Sequence, residues 1–458
     1  MKEKLTRIKN RRLERRLSVS LAGLRAGGAI VLGRSTDWLL KEDERKTKRK
    51  SVLSKEAKRF ANELGKLKGS YVKIGQMLAL FGEHLLPKEL TAALHELEHQ
   101  TVALDWPIIE QALKEQLGSR LGELLIEPEP LACASMGQVH RCRVIATGEE
   151  ICLKVQYPGL EETIDSDFSD VVSMLKLANW LKTSRNLDML LEEIRKLLHE
   201  ETDYQREALM TVNMANLLKG DKRFQVPAVY QRFSTKKVIA LEFIKGLEVT
   251  DNEVQSLPLP RRNKLAKAML DLLMKEIFEW GVLQTDPNFG NYRIKCSAKS
   301  DTLVLLDFGA VRAFDNSFLN PLRSTIAGAY HNDKAAVLQG VIDLKCIDEC
   351  HPISVQESFA IFCMSLLEPL RKDFDGVSSD WINEKGEYCW SESKLIKRAA
   401  KQAAKSSFSI HFTVPPQEFA LIARKLTGVF TFIVVLKGEF NGHDILKTYV
   451  DSWEQELL

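Results

Sequence analysis

An aspartate with an asparagine five residues on, followed by a hydrophobic strand ending in Asp-Phe-Gly, constrains this chain more than any other feature. The first piece is Gln284-Thr285-Asp286-Pro287-Asn288-Phe289-Gly290-Asn291, the second Leu305-Leu306-Asp307-Phe308-Gly309. Asp286, Asn291 and Asp307 offer hard oxygens of the kind that hold a divalent cation against phosphates. The fold must therefore bring two adjacent loops together. The connection between them reads as a hairpin, with Tyr292–Lys295 and Thr302–Leu306 as strands and Ser297–Asp301 as turn. The apolar run Leu303–Leu306 reads as a strand buried on both faces that delivers Asp307 to a cleft. The bland alternative makes Asp307 a cap after a core strand. Asp-x₄-Asn alone arises by chance in many chains, but the two pieces in order are specific.

This is the phosphoryl-transfer arrangement of protein-kinase-like folds, in which the first Asp orients or deprotonates the attacking hydroxyl. Such a site needs a cation on the phosphates, supplied by a strand lysine that a helix glutamate holds. Ile151-Cys152-Leu153-Lys154-Val155 offers one. Ile151, Leu153 and Val155 share a face, and Lys154 lies on the other with Cys152 and Gln156. A glycine-rich loop is expected just before, yet no G-x-G-x-x-G occurs. Its place is taken by Ala132-Cys133-Ala134-Ser135-Met136-Gly137-Gln138. Small residues still let backbone N–H groups approach a phosphate, with less φ freedom than glycine.

With these residues in view, the chain resembles the UbiB/AarF/ADCK group of atypical kinases, associated with ubiquinone biosynthesis. The likeness runs from about residue 64 to at least residue 315 on five ordered motifs. They are Lys73-Ile74-Gly75-Gln76 (K-x-G-Q), the alanine-rich loop 132–138, and Lys154 in a K-V-Q-Y-P-G context. Glu201 through Ala208 and the stretch from Gln284 to Gly309 complete the set. Cys133 departs from the pattern, where the group usually has a third alanine.

The resemblance implies an α+β, bilobal protein-kinase-like fold with a helical N-terminal extension carrying K-x-G-Q, a small antiparallel-sheet lobe and a large, mostly helical lobe. It implies ATP or ADP and Mg²⁺ as cofactors, with Asn291 and Asp307 on the metal and Asp286 in the catalytic loop. Lys154 would contact phosphate and pair with Glu207, or else with Glu201. Glu201 and Asp203 match an E-x-D motif near Lys73, and Lys73 and Gln76 belong to the same functional set. Ala132, Cys133, Ala134, Ser135, Gly137 and Gln138 would cradle the nucleotide. Glu242 and Phe243 fall at the hinge, where backbone groups hold adenine. The resemblance also implies that the K-x-G-Q helix packs where a peptide would dock, favouring small-molecule or lipid-linked phosphoryl transfer, or ATP hydrolysis, over protein substrates.

The K-x-G-Q segment supports a special role without that likeness. Leu67, Tyr71, Ile74, Leu78, Phe81 and Leu85 repeat as one long amphipathic helix stripe. Gly69, Lys73 and Gln76 line the opposite side, and Lys73 is the sole charge from Gly69 to Gly82. A helix so poor in charge is covered all round, so Lys73 is either buried with an anion or lines a cavity. The competing reading is a lysine that snorkels to the surface.

The net charge of +3 hides an asymmetry: residues 1–50 carry 16 Lys+Arg against 6 Asp+Glu, leaving the remainder acidic. The basic segment admits an amphipathic helix on an anionic membrane surface, a soluble tail, or a nucleic-acid arm. Nucleic acid is the least expected partner, because Trp38 is the only aromatic among the charges. No apolar run reaches the length of a membrane span. The best, Leu426–Leu436, reads as a buried helix. The expectation is a cytoplasmic protein, peripheral on the cytoplasmic membrane, meeting quinone-pathway lipids or enzymes. Eight scattered cysteines suggest neither a disulfide framework nor a zinc site.

Four regions follow: a basic N-terminal region (1–50), a helical K-x-G-Q extension (51–125), a kinase-like N-lobe with a helical insert (126–250) and a helical C-lobe (251–458). One helix is expected from Arg261 to Trp280, and segment 370–395 reads as a surface loop. The functional reading is an atypical kinase or ATPase. The alternatives are a nucleotide-binding pseudokinase-like scaffold and an aminoglycoside- or choline-kinase-type phosphotransferase.

Overall fold

The computed structural model splits the expected K-x-G-Q helix in two. It describes residues 42–67, 69–81, 86–96, 103–134, 136–181, 187–407 and 416–457. One helix runs Glu42–Leu67 and the next Ser70–Phe81, with Gly69 between them at φ +57°. A left-handed residue just past a helix end is least strained as glycine, so the break is local backbone chemistry. Leu67, Tyr71, Ile74 and Leu78 are still buried, although Leu67 belongs to the preceding helix. The Phe81 side chain, Leu85 and the basic segment's first 41 residues lie outside the described residues.

The chain forms two units. The first comprises the residues up to Val212 together with Ala228–Phe243, and the second comprises Asn213–Pro227 and Ile244–Leu458. In the first, an antiparallel sheet has the order Leu124–Ile126, Gly137–Val144, Glu150–Gln156, Val238–Glu242, with Ala132–Cys133 also paired on Gly137–Val144. Alternation along these strands decides what covers each face. Ile151, Leu153 and Val155 join Ile109, Leu113 and Leu117 of helix Trp106–Leu117 in one core. Ile239 and Leu241, on the opposite face, pack against Tyr204 and Ala208 of helix Tyr204–Leu217. Lys154 pairs in register with Ile239 and so shares that second face. The expected helical insert is present as helices Ile164–Leu177 and Leu187–Glu201.

In the second unit two small ribbons carry the Asp-bearing loops. Tyr292–Lys295 and Thr302–Leu305 form the expected hairpin, extended by the parallel strand Phe224–Gln225. Val282–Gln284 pairs antiparallel with Val311–Ala313, so the strand before Asp286 lies beside the strand after Asp307. The helix expected over Arg261–Trp280 is α-helical from Leu259 to Met274 and then turns π-helical over Lys275–Trp280. Such π segments put an extra residue into the turn and recur next to functional sites. Segment 370–395 is not a mere surface loop. Tyr388 and Trp390 are fully buried in it, and Trp390 meets Phe430 edge-on, lies tilted against Phe440 and donates its indole N–H to the Phe440 carbonyl. Its Gly, Ser and Asp residues suggested exposure, but the two aromatics fill the core beside helix Gln417–Val435. No helix among the described residues is long and apolar enough to cross a membrane.

Two contacts show how tightly these elements lock. A Cβ on Gly137 would stand 2.5 Å from the Val155 carbonyl oxygen and 2.8 Å from the Tyr204 hydroxyl, so strand, loop and helix meet with no spare volume. In the second unit Lys425 and Glu276 are each about 1% exposed and pair at 3.1 Å. Burial pushes the Glu276 carboxyl above its ordinary range, and the Lys425 charge opposes that push.

We expect Gly137→Ala to lower stability by about 1–3 kcal/mol through overpacking, measured as a fall in the thermal midpoint; an unchanged midpoint would contradict the packing described. Lys425→Met strands a buried carboxylate and should cost about 3–5 kcal/mol in denaturant unfolding. Adding Glu276→Leu removes the orphaned charge, and much of that loss should return.

Candidate active site

Helix Tyr204–Leu217 begins where Asp203 accepts a hydrogen bond from the Arg206 N–H at 3.0 Å. That cap fixes the helix start and sets the phase of Glu207, one turn in. Glu207 is 3% exposed, and both its carboxylate oxygens accept from Lys154 Nζ, at 2.8 and 2.9 Å. The Lys154 ammonium also lies 5.2 Å from the centre of the Tyr204 ring. Glu201 is not its partner. Glu201 instead pairs with Lys73 at 2.5 Å, both side chains being about four-fifths buried. The anion that Lys73 requires is therefore Glu201, at the end of helix Leu187–Glu201. Gln76 is half-buried on the same helix as Lys73. Ser70, at the start of that helix, donates to buried Asp167 of the insert, so the K-x-G-Q helix is clamped at two points.

The alanine-rich loop is a tight hairpin. Ala132 and Cys133 pair with Val139 and Gln138, and the Ala134 N–H donates to the Gly137 carbonyl at 2.8 Å. Ser135 lies outside the described residues. The Gln138 side chain is fully buried and hydrogen-bonded within the first unit. Its carbonyl oxygen accepts from the Leu104 N–H, and its amide donates to the Leu104 carbonyl and to His140 Nε2. Since His140 Nδ1 faces the Glu127 carbonyl, the imidazole carries its proton on Nδ1 and accepts at Nε2. Gln138 thus braces the loop and can meet a nucleotide only through its backbone. At the hinge, the Glu242 N–H donates to the Ala228 carbonyl and the Phe243 N–H to the Glu150 carbonyl. Both N–H groups are engaged within the chain. Arg141 covers the Phe243 ring at 4.6 Å.

The second unit holds Asp286, Asn291 and Asp307. Thr285 is fastened to the Ala310 carbonyl through its N–H and hydroxyl, and Gln284 donates its side-chain amide to the Asp307 carbonyl. The residues flanking the two acids are therefore tied to each other. Asn291 Nδ2 donates to both the Asp286 carbonyl and Asp286 Oδ2, at 3.2 and 3.1 Å. Those two acceptors identify the amide nitrogen, and they turn the side-chain Oδ1 of Asn291 toward the role of cation ligand. Asp307 Oδ1 accepts from the Gly309 N–H at 2.9 Å, which orients the carboxylate, and Phe308 is buried behind it. An amide oxygen and a carboxylate on neighbouring loops fit a magnesium ion, which takes hard oxygen ligands and keeps several waters.

Sequence reasoning missed the residues behind Asp286. Helix Gln417–Val435 presents Arg424, whose Nη2 reaches Asp286 Oδ1 at 3.0 Å. Its next residue, Lys425, pairs with Glu276, and Glu276 in turn accepts the Gln284 N–H at 3.2 Å. One turn on, a Cβ at Gly428 would fall 2.1 Å from Pro287 Cβ, so the helix backbone lies directly against the loop that carries Asp286. A signal was available in the sequence: Lys425 interrupts an apolar helix, as Lys73 does.

Comparison with known proteins gives this geometry a context. Residues 96–341 match the ABC1 atypical kinase-like domain. The chain is 30% identical over 406 residues to "Atypical kinase COQ8B, mitochondrial" of Danio rerio, covering 87% of this chain and 62% of the relative, less than two thirds of that protein's length. It is 27% identical over 374 residues to "Atypical kinase COQ8, mitochondrial" of Saccharomyces cerevisiae, covering 81% and 72%. Among solved structures, the Rv3197–erythromycin complex from Mycobacterium tuberculosis superposes with a TM-score of 0.59 at 21% identity, over 90% of this chain and 99% of that one, a likeness of fold. With more than half of its length inside the domain match, the chain belongs to the ABC1 atypical kinase-like family.

Proposed function

We propose that this protein is an atypical kinase or ATPase that binds Mg²⁺-nucleotide and serves ubiquinone or other isoprenoid-lipid metabolism rather than phosphorylating proteins. The Asp286–Asn291 geometry carries the reading. The asparagine spends its amide nitrogen on the aspartate, and its oxygen is left for metal. A bound Mg²⁺-nucleotide supplies the transferable phosphoryl group and the charge neutralisation that phosphoryl transfer requires.

The chain's own residues have distinct tasks in this reading. Lys154 contacts phosphate. Glu207 keeps its ammonium from folding away. Asn291 and Asp307 hold the metal. Asp286 orients the attacking hydroxyl or water and accepts its proton. The alanine-rich hairpin offers backbone N–H groups to phosphate without the freedom of glycine. The Lys73–Glu201 and Ser70–Asp167 contacts keep the K-x-G-Q helix ordered, which supports a site closed to peptides. The helices inserted between Lys154 and Glu207 supply both anchoring acids, Asp167 and Glu201. An anionic membrane surface would be met by the basic segment 1–50.

Two substitutions separate these tasks. Lys154→Ala should weaken ATP affinity at least tenfold, read by titration. Asp286→Asn should leave affinity within about twofold and reduce phosphate release by about 10²-fold or more. Equal loss of binding in both variants would contradict the assignment, and so would phosphate release from Asp286→Asn at the wild-type rate.

A further inference from the structure

Asp286 has both carboxylate oxygens engaged, one by its own loop and one from 138 residues away. Asn291 holds Oδ2 at 3.1 Å and Arg424 holds Oδ1 at 3.0 Å. The terminal torsion of an aspartate is soft, so a carboxylate with one partner samples many planes. With two partners on different oxygens it keeps one plane, and each oxygen retains a further lone-pair direction for a substrate hydroxyl or water.

The element that brings Arg424 is itself immobilised. Lys425 is anchored on buried Glu276, which also accepts the Gln284 N–H two residues before Asp286. Gly428 allows the helix backbone to touch Pro287, the residue after Asp286. Helix and loop are thus joined directly at Arg424 and Gly428 and through Glu276 at Lys425. Stability alone does not account for the outer contact. The Arg424 and Asp286 side chains are 33% and 31% exposed, and an ion pair so open to water contributes about 1 kcal/mol or less.

We infer that Arg424 is a positioning residue, fixing the Asp286 carboxylate for proton acceptance. The inference deepens the proposed function and rests on it. Arg424 does not contact the nucleotide in this role. Its loss therefore lowers the rate of the chemical step and leaves nucleotide binding alone. The contact is a single N–H to one oxygen, so a lysine can replace it in part.

The test is ATP hydrolysis by the full chain, with kcat and KM measured separately and ATP affinity titrated in parallel. Wild type must hydrolyse ATP and Asp286→Asn must not; if that fails, the proposed function falls before Arg424 is tested. Given those controls, Arg424→Met and Arg424→Gln should each reduce kcat by about 10- to 100-fold with KM and ATP affinity within about twofold, the scale expected when a reacting group is misplaced. Arg424→Lys should recover at least a third of the wild-type kcat. An unchanged kcat in Arg424→Met, a raised kcat, or a loss confined to KM would overturn the inference. Failure of Arg424→Lys to exceed Arg424→Gln would do the same. Loss of ATP binding in all three variants would also overturn it, since a contact this exposed would then be needed for folding rather than for orientation.

Discussion

A lysine taken out of water as an ammonium needs a carboxylate beside it to offset the lost hydration. Three pairs obey that constraint here, and each joins elements distant in sequence. Lys73–Glu201 fastens the K-x-G-Q helix to the insert, Lys154–Glu207 fastens the sheet to the helix that covers it, and Lys425–Glu276 fastens helix Gln417–Val435 to the π-helical turn before Asp286. Apolar packing alone tolerates small slips of one element past another. A buried ion pair does not, because a shift of an ångström or two leaves two charges unsatisfied at once. The functional side chains inherit their precision from these pairs.

The two units use the device differently. In the first, the paired lysines are themselves the proposed functional groups, and their carboxylates hold them in place. In the second, the buried pair lies behind the site. It sets the helix that presents Arg424, and it receives a backbone N–H from the strand leading into Asp286. The π-helical stretch Lys275–Trp280 fits this arrangement, since it carries Glu276 inward.

Much of the site was legible because its chemistry sets local spacing. Asp286 and Asn291 must lie on one short loop, and Asp307 must end a buried strand, so the pattern is contiguous and the hairpin between them reads directly. Lys154 was visible from strand alternation, and Lys73 from its isolation in an apolar helix. What was not legible depended on partners far along the chain. Spacing cannot distinguish Glu201 from Glu207 as the partner of Lys154, because the difference comes from the helix phase that the Asp203 cap sets. Gln138 looked like a loop residue facing phosphate, and only the fold reveals Leu104 and His140 beside it. The break at Gly69 was available in principle, as glycine after an amphipathic run is a common helix stop. Tyr388 and Trp390 were hidden by the polar residues around them.

In the proposed function Asn291 and Asp307 are the ligands for a metal that accompanies the nucleotide. The most direct measurement is ADP affinity with and without Mg²⁺, for wild type and Asp307→Asn. Wild type should bind ADP more tightly when Mg²⁺ is added, and Asp307→Asn should bind metal-free ADP as wild type does while losing most of that gain. An undiminished Mg²⁺ dependence in Asp307→Asn, or no ADP binding by wild type, would contradict it.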